Sequence, residues 1–162
     1  MGLVLAGLFT CTELGIKGAM VVVISHGLTS PALFNFANIV YERRFSRRIV
    51  LCKGLISIFP ALSMSLFLAC GANIAVPCSI NLVGEIWLAI RVIGFSFFFM
   101  LFIGLICFLV GGYTLYIYTR ICHGRVSRFF NFGHLFSRCA HLIILIQLWP
   151  LFFFMVALPI IL

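Results

Sequence analysis

Acidic side chains are almost missing from this sequence. Glu13, Glu42 and Glu85 are the only three in 162 residues, and charged residues of both signs make up 9%. A water-soluble domain of this size needs far more polar surface, because its exterior must face water. With 64% hydrophobic residues and 19 Phe, the chain reads as an all-α polytopic membrane protein. Also missing are a Walker A loop, a G-x-G-x-x-G ahead of a strand, a nucleophile elbow and a haem motif. No phosphate-loop, dinucleotide or esterase chemistry is therefore expected on this chain. There is no C-x-x-C pair either. Cys11, Cys52, Cys70, Cys78, Cys107, Cys122 and Cys139 are scattered in or beside apolar runs, where free Cys behaves as a small hydrophobe. Cys122, His123, His134, Cys139 and His141 include metal-ligand types. Their spacings match no zinc pattern, so no metal is expected. The N-terminus lacks a basic region and a cleavage site, so no signal peptide is read there.

The net charge of +8 does not point to nucleic acid. The basic residues sit in short clusters between apolar runs, as topogenic loop charges do, and a nucleic-acid reader needs a continuous basic face. Taken in order, 1–10 is apolar but too short to span, since about 20 residues are needed for a core of about 30 Å. It reads as the end of a helix. Residues 16–39 form the first full span. His26, Thr29 and Ser30 share one of its faces, and Pro31 is expected to kink it and free a carbonyl near that face. Residues 41–53 form a basic loop, with room for a short interfacial helix. Residues 54–93 form one discontinuous span, with Pro60 at its start and a break at 73–79. Residues 94–118 form a Phe-rich span in which Gly104, Gly111 and Gly112 are expected to allow close helix contact. Residues 119–138 form a second basic loop, and 139–162 the last span. The whole is one membrane domain of about four full spans plus a partial N-terminal helix.

The break is the informative feature. Between Gly71 and Glu85 lie Asn73, Pro77, Asn81 and Gly84, inside a region otherwise apolar enough for a bilayer. Irregular backbone at membrane depth survives only against protein or a water-filled cavity. The charge pattern supports one broken span rather than two whole ones. The two basic loops hold nine of the eleven Lys and Arg residues. An even number of crossings between them keeps both on one side, as the positive-inside rule requires.

Two residues could carry proton chemistry. Glu85 follows the break on an apolar half-helix, where a charge is costly by roughly 2.5–3.5 kcal/mol. Water-poor surroundings tune a carboxyl group toward proton exchange near neutral pH. It is either a proton-relay carboxylate facing a hydrated interior, or a carboxylate paired with Arg91 or with another chain. His26 can pass a proton through either ring nitrogen. It is either part of a polar channel wall or a core histidine bonded to the carbonyl that Pro31 frees. Asn73 and Asn81 are expected to satisfy backbone groups freed at the break.

Three ordered motifs carry a resemblance. They are Ile24-Ser25-His26-Gly27-Leu28-Thr29-Ser30 followed by Ala37-Asn38-Ile39-Val40-Tyr41-Glu42-Arg43, then Ala72-Asn73-Ile74-Ala75-Val76-Pro77 through Asn81-Leu82-Val83-Gly84-Glu85, then Gly112-Tyr113-Thr114-Leu115-Tyr116 through His123-Gly124. Together they resemble subunit 4 of NADH:ubiquinone oxidoreductase, respiratory complex I, in its mitochondrial form. The match runs to about residue 124 and more loosely to the end. It implies an antiporter-like helix bundle in the proton-pumping arm, coupled to electron transfer from NADH to ubiquinone. His26 would take the central-axis position and Glu85 the proton-exit position as the proton relay, with Asn73, Pro77 and Asn81 at the helix break. The resemblance further implies a multi-pass protein of the mitochondrial inner membrane, with both basic loops facing the matrix. NADH, FMN, Fe–S clusters and ubiquinone would be bound by other subunits, with none on this chain. The expected partners are the other membrane-arm subunits, the lipid bilayer and the earlier helices of the same subunit. The family's subunit is far longer than this chain. That leaves a fragment or a split-gene product, which the nucleotide sequence upstream of Met1 distinguishes. Cys78 stands where a second proline is common. Two alternatives are a structural membrane scaffold and a cation/proton antiporter subunit of the same fold.

Overall fold

Two threonines set the first turn. The Thr10 hydroxyl donates to the Gly7 carbonyl at 2.6 Å and closes helix α1, Gly2–Phe9. Thr12 then caps helix α2, Glu13–Arg44, its Oγ1 accepting from the Gly15 N–H at 3.2 Å. Such a cap contributes about 1 kcal/mol. Glu13 sits in the first turn, where a carboxylate suits the helix dipole, and pairs with Lys17 at 2.9 Å. The computed structural model describes residues 1–77, 79–125 and 138–161, and of residues 43, 44, 138–141 and 155–161 the backbone alone. Cys78 and most of the second basic loop, with His134, lie outside the described residues. So do the side chains of Cys139 and His141.

The 32 residues of α2 extend about 48 Å at 1.5 Å per residue, well beyond a bilayer core. The helix is continuous through Pro31. It also corrects the expected start of the first basic loop. Tyr41–Arg44 is helical, and the chain turns only at Phe45, in the left-handed region (φ 50°) with its N–H on the Tyr41 carbonyl. The end of an apolar run marks the end of the bilayer, whereas ordinary helix formers carry a helix past it. A 3-10 turn, Ile49–Leu51, and helix α3, Leu55–Ile58, lead to α4, Pro60–Asn73, with Pro60 at its first position as expected. Helix α5 is Ile80–Phe95, α6 is Phe99–Cys122 and α7 is Arg138–Ile161. The turn between α5 and α6 thus falls later than Gly94. Ser96, the one hydroxyl in residues 92–112, marks it. The described residues contain seven α-helices and no strand. At 14 and 16 residues, α4 and α5 are each too short to cross a bilayer. By length and composition α2 and α6 are long and apolar enough to do so.

Helix α2 is the hub, packing on α1, α4, α5 and α7, with its largest contact on α5. Glycines set that closeness, but not those expected. Nothing lies within 4 Å of a Cβ placed on Gly104 or Gly112, and Gly111 meets only Ile74 at 3.7 Å. A glycine pattern read from sequence does not say which face has a neighbour, and α6 buries only Thr114 and Cys122 among its described side chains. The close approach is at Gly18 and Gly84 instead. A Cβ on Gly84 would sit 2.6 Å from Val22 Cγ2 and 3.1 Å from the Val22 backbone nitrogen.

Two apolar clusters result. Val4, Ala19, Val22 and Leu88 join α1, α2 and α5. Ala32, Phe36, Leu62, Leu66, Ala69, Ile144, Leu148 and others join α2, α4 and α7. Between them along α2 lie buried Ser25 and Thr29. Gly84→Val should force α2 and α5 apart at a cost of about 1–3 kcal/mol, lowering the thermal midpoint in detergent. Gly112→Ala should not lower it. Equal midpoints for the two variants would contradict the seam.

Candidate functional site

Helix α4 stops because its last turn is closed by backbone alone. The Val76 N–H reaches the Gly71 carbonyl at 3.0 Å and the Ala75 N–H the Ala72 carbonyl at 3.3 Å. With Ala75 at φ 60°, this is the Schellman arrangement, usually made with glycine at the left-handed position. Pro77 follows, where the missing N–H breaks no helical bond. Ser79 completes the join. Its N–H and its Oγ both donate to the Val76 carbonyl, at 3.1 and 2.8 Å. The carbonyls of Gly71, Ala72 and Val76 are therefore satisfied within the break itself.

That frees Asn81 for another task, contrary to the expectation that it serves the broken backbone. Its Nδ2 donates to Glu85 Oε1 at 2.7 Å, one turn along α5. Its Oδ1 accepts from the Ser25 hydroxyl on α2, also at 2.7 Å. Ser25 is fully buried and Asn81 is 7% exposed, and each finds its partners within the protein. The Ser25 hydroxyl has a second acceptor, the Val22 carbonyl at 3.1 Å. Glu85 is half-buried, with the Cys107 thiol of α6 within electrostatic reach. The expected alternative, a Glu85–Arg91 pair, is not formed among the described residues. Six residues turn a helix by about 600°, which carries Arg91 round to another face. The Arg91 Nε is buried there and has no hydrogen-bond partner among the described residues.

His26 faces elsewhere. With Ser30 it lines a cavity of about 590 Å³ between α2, α4 and α6. Asn73 and Thr114 lie on the same wall, and Tyr41 and Arg47 at the end near the first basic loop. The Arg47 guanidinium stacks over the Tyr41 ring at 5.5 Å. Two of the residues singled out from sequence, His26 and Asn73, thus share one cavity. Glu85, Asn81 and Pro77 are not on its wall. Ser25, the residue next to His26 on α2, bonds Asn81, which bonds Glu85.

Residues 1–111, which include the break, His26 and Glu85, match the family described as NADH:quinone oxidoreductase/Mrp antiporter, transmembrane region. The chain belongs to this family. Among individual proteins it is similar to NADH-ubiquinone oxidoreductase chain 4 of Anopheles arabiensis, 40% identical over 136 residues, which are 82% of this chain and 62% of that protein. Against chain 4 of Aedes aegypti the identity is 40% over 126 residues, 78% of this chain and 28% of the relative. Against chain 4 of Mytilus edulis it is 36% over 160 residues, 98% of this chain and 37% of the relative. The chain spans less than two thirds of the length of each of these relatives. The expected antiporter-like, all-helical membrane fold follows from the family and the helices together.

Within this antiporter-like bundle, Ser25 is the residue that sequence reasoning passed over. The Asn81–Glu85 spacing of four was a readable signal for a shared helix face, but Ser25 lies 56 positions away. A second polar tie, Asn35 Nδ2 to Gln147 Oε1 at 3.1 Å, joins α2 to α7. Asn35→Leu removes it and leaves Gln147 unpaired. The expected loss is about 0.6–1.7 kcal/mol, the range for such bonds in membranes. Adding Gln147→Leu should recover part of it. Thermal unfolding of the two single variants and the double variant checks this, and strictly additive losses would count against the bond.

Proposed function

We propose that this chain is part of the proton-translocating membrane subunit of respiratory NADH dehydrogenase, complex I, and contributes one section of the proton pathway. The observation that carries the proposal is the half-buried Glu85, held by Asn81 just after the broken helix, in a bundle of the antiporter family. A carboxyl group there, with a single amide donor, can be charged or neutral without leaving its place. His26 opens on the cavity that leads toward Arg47, which suits a hydrated approach to the histidine from the basic-loop side. In this reading His26 and Glu85 are the proton-relay residues. Asn73 and Pro77 belong to the break before Glu85, and Asn81 holds Glu85 itself.

The chain itself carries no redox centre in this reading. NADH, FMN, Fe–S clusters and ubiquinone belong to other subunits, and the energy of electron transfer reaches this bundle as changes in protonation and hydration. Its partners are the other membrane-arm subunits and the earlier helices of the full subunit. The compartment is the mitochondrial inner membrane, with both basic loops on the matrix side.

Glu85→Gln in the assembled complex should lower the number of protons moved per NADH oxidised while leaving assembly on native gels intact. Undiminished pumping with normal assembly would count heavily against the proposal. Loss of assembly with normal coupling in what assembles would favour a scaffold role instead. Sidedness has its own check. A membrane-impermeant maleimide should label Arg48→Cys and Arg125→Cys only when the matrix face is open. The exposed Cys11, at the far end of α2, should react only from the other face. Labelling of all three from one side would refute this topology.

A further inference from the structure

We propose that Ser25 and Asn81 form a reversible hydrogen-bond relay that transmits the protonation state of Glu85 to the turn of α2 carrying His26. The proposal rests on the reading of Glu85 as a group that gains and loses a proton. Its own support is the number of donors and acceptors in the cluster. An asparagine amide has a donor end and an acceptor end. In the structure the donor end, Nδ2, faces Glu85, and the acceptor end, Oδ1, faces Ser25. That arrangement suits a charged carboxylate, which only accepts. Ser25 has one hydroxyl hydrogen and two acceptors in reach, Asn81 Oδ1 at 2.7 Å and the Val22 carbonyl at 3.1 Å. With Glu85 charged, the hydrogen is committed to Asn81.

A proton on Oε1, the Glu85 oxygen that faces Nδ2, presents a donor where the amide also presents one. The conflict is relieved if the Asn81 amide turns over. Oδ1 then accepts from the carboxylic acid, and Nδ2 donates to the Ser25 oxygen. The Ser25 hydrogen is released to the Val22 carbonyl. The first arrangement makes two hydrogen bonds and the second three, and in each of them both ends of the Asn81 amide and the Ser25 hydrogen have a partner. No proton passes through the amide. The proton enters and leaves at Glu85, and the Ser25 hydrogen stays on its oxygen throughout.

The receiving atom gives the relay its consequence. In an α-helix the Val22 carbonyl is the acceptor for the backbone N–H of His26. A hydroxyl that begins to donate to that carbonyl competes with the His26 N–H, and serine bonds of this kind bend helices. Glu85 and His26 are thereby coupled although they do not share a cavity. Ser25 and Asn81 act as positioning residues.

The test uses the assembled complex and redox-induced infrared difference spectra, with asparagine isotopically labelled and the Asn81 band identified by its loss in Asn81→Leu. The wild type should show the Glu85 carboxyl band and a shift of the Asn81 amide carbonyl band that appear together. In Ser25→Ala the carboxyl band should remain, the amide shift should be lost and the yield of protons per NADH should fall. Ser25→Cys, close in volume but a weak donor, should behave the same way and serves if the alanine variant does not assemble. A carboxyl band with an unaltered amide shift and unaltered yield in these variants would overturn the relay alone. Absence of the carboxyl band from wild type, with full pumping in Glu85→Gln, would overturn the reading of Glu85 and the relay with it.

Discussion

The approach of α5 to α2 at Gly84 governs what the rest of the molecule can do. A side chain at that position would strike Val22 within 2.6 Å, so the two helices reach their present distance only because none is there. One turn away, that distance puts a serine hydroxyl and an asparagine carbonyl 2.7 Å apart. Apolar groups seal this contact on both sides along α2, with Val22 and Leu88 toward one end and Ala32 and Phe36 toward the other. The polar layer is therefore narrow and fixed. In hydrocarbon surroundings, polar groups without partners are expensive, and here each of them has a specified one.

The broken helix and the polar layer divide the work between them. Schellman closure and the double donation from Ser79 satisfy three carbonyls at the break, those of Gly71, Ala72 and Val76. The Asn81 side chain is thus available to link Glu85 with α2. The break lets α5 begin afresh at Ile80, which sets Asn81 and Glu85 on one helix face with the Asn81 amide against α2.

Much of this was legible in the sequence, and the remainder fails for physical reasons. Asn73, Pro77 and Gly84 in an apolar run announced the break, since each is a poor choice for an uninterrupted membrane helix. The loop charges supported reading it as one span. Glu85 stood out because an acid in such a place is costly. By contrast, the partnership of Ser25 with Asn81 depends on which faces of two distant helices meet, and no local pattern encodes that. The close glycines were misplaced to Gly104, Gly111 and Gly112 for the same reason. Spacing shows where a side chain is missing and not whether a neighbour fills the space. The end of α2 at Arg44 was misplaced because hydropathy follows the bilayer and helix propensity does not.

Ala75 has one more consequence. It holds a left-handed conformation, φ 60°, at a position where glycine is the usual choice. Glycine adopts this conformation at no steric cost, whereas alanine holds it against a preference of roughly 1–2 kcal/mol. Such a residue stays in place only where the packing around it fixes the backbone, so the end of α4 depends on its neighbours and not on its own sequence alone.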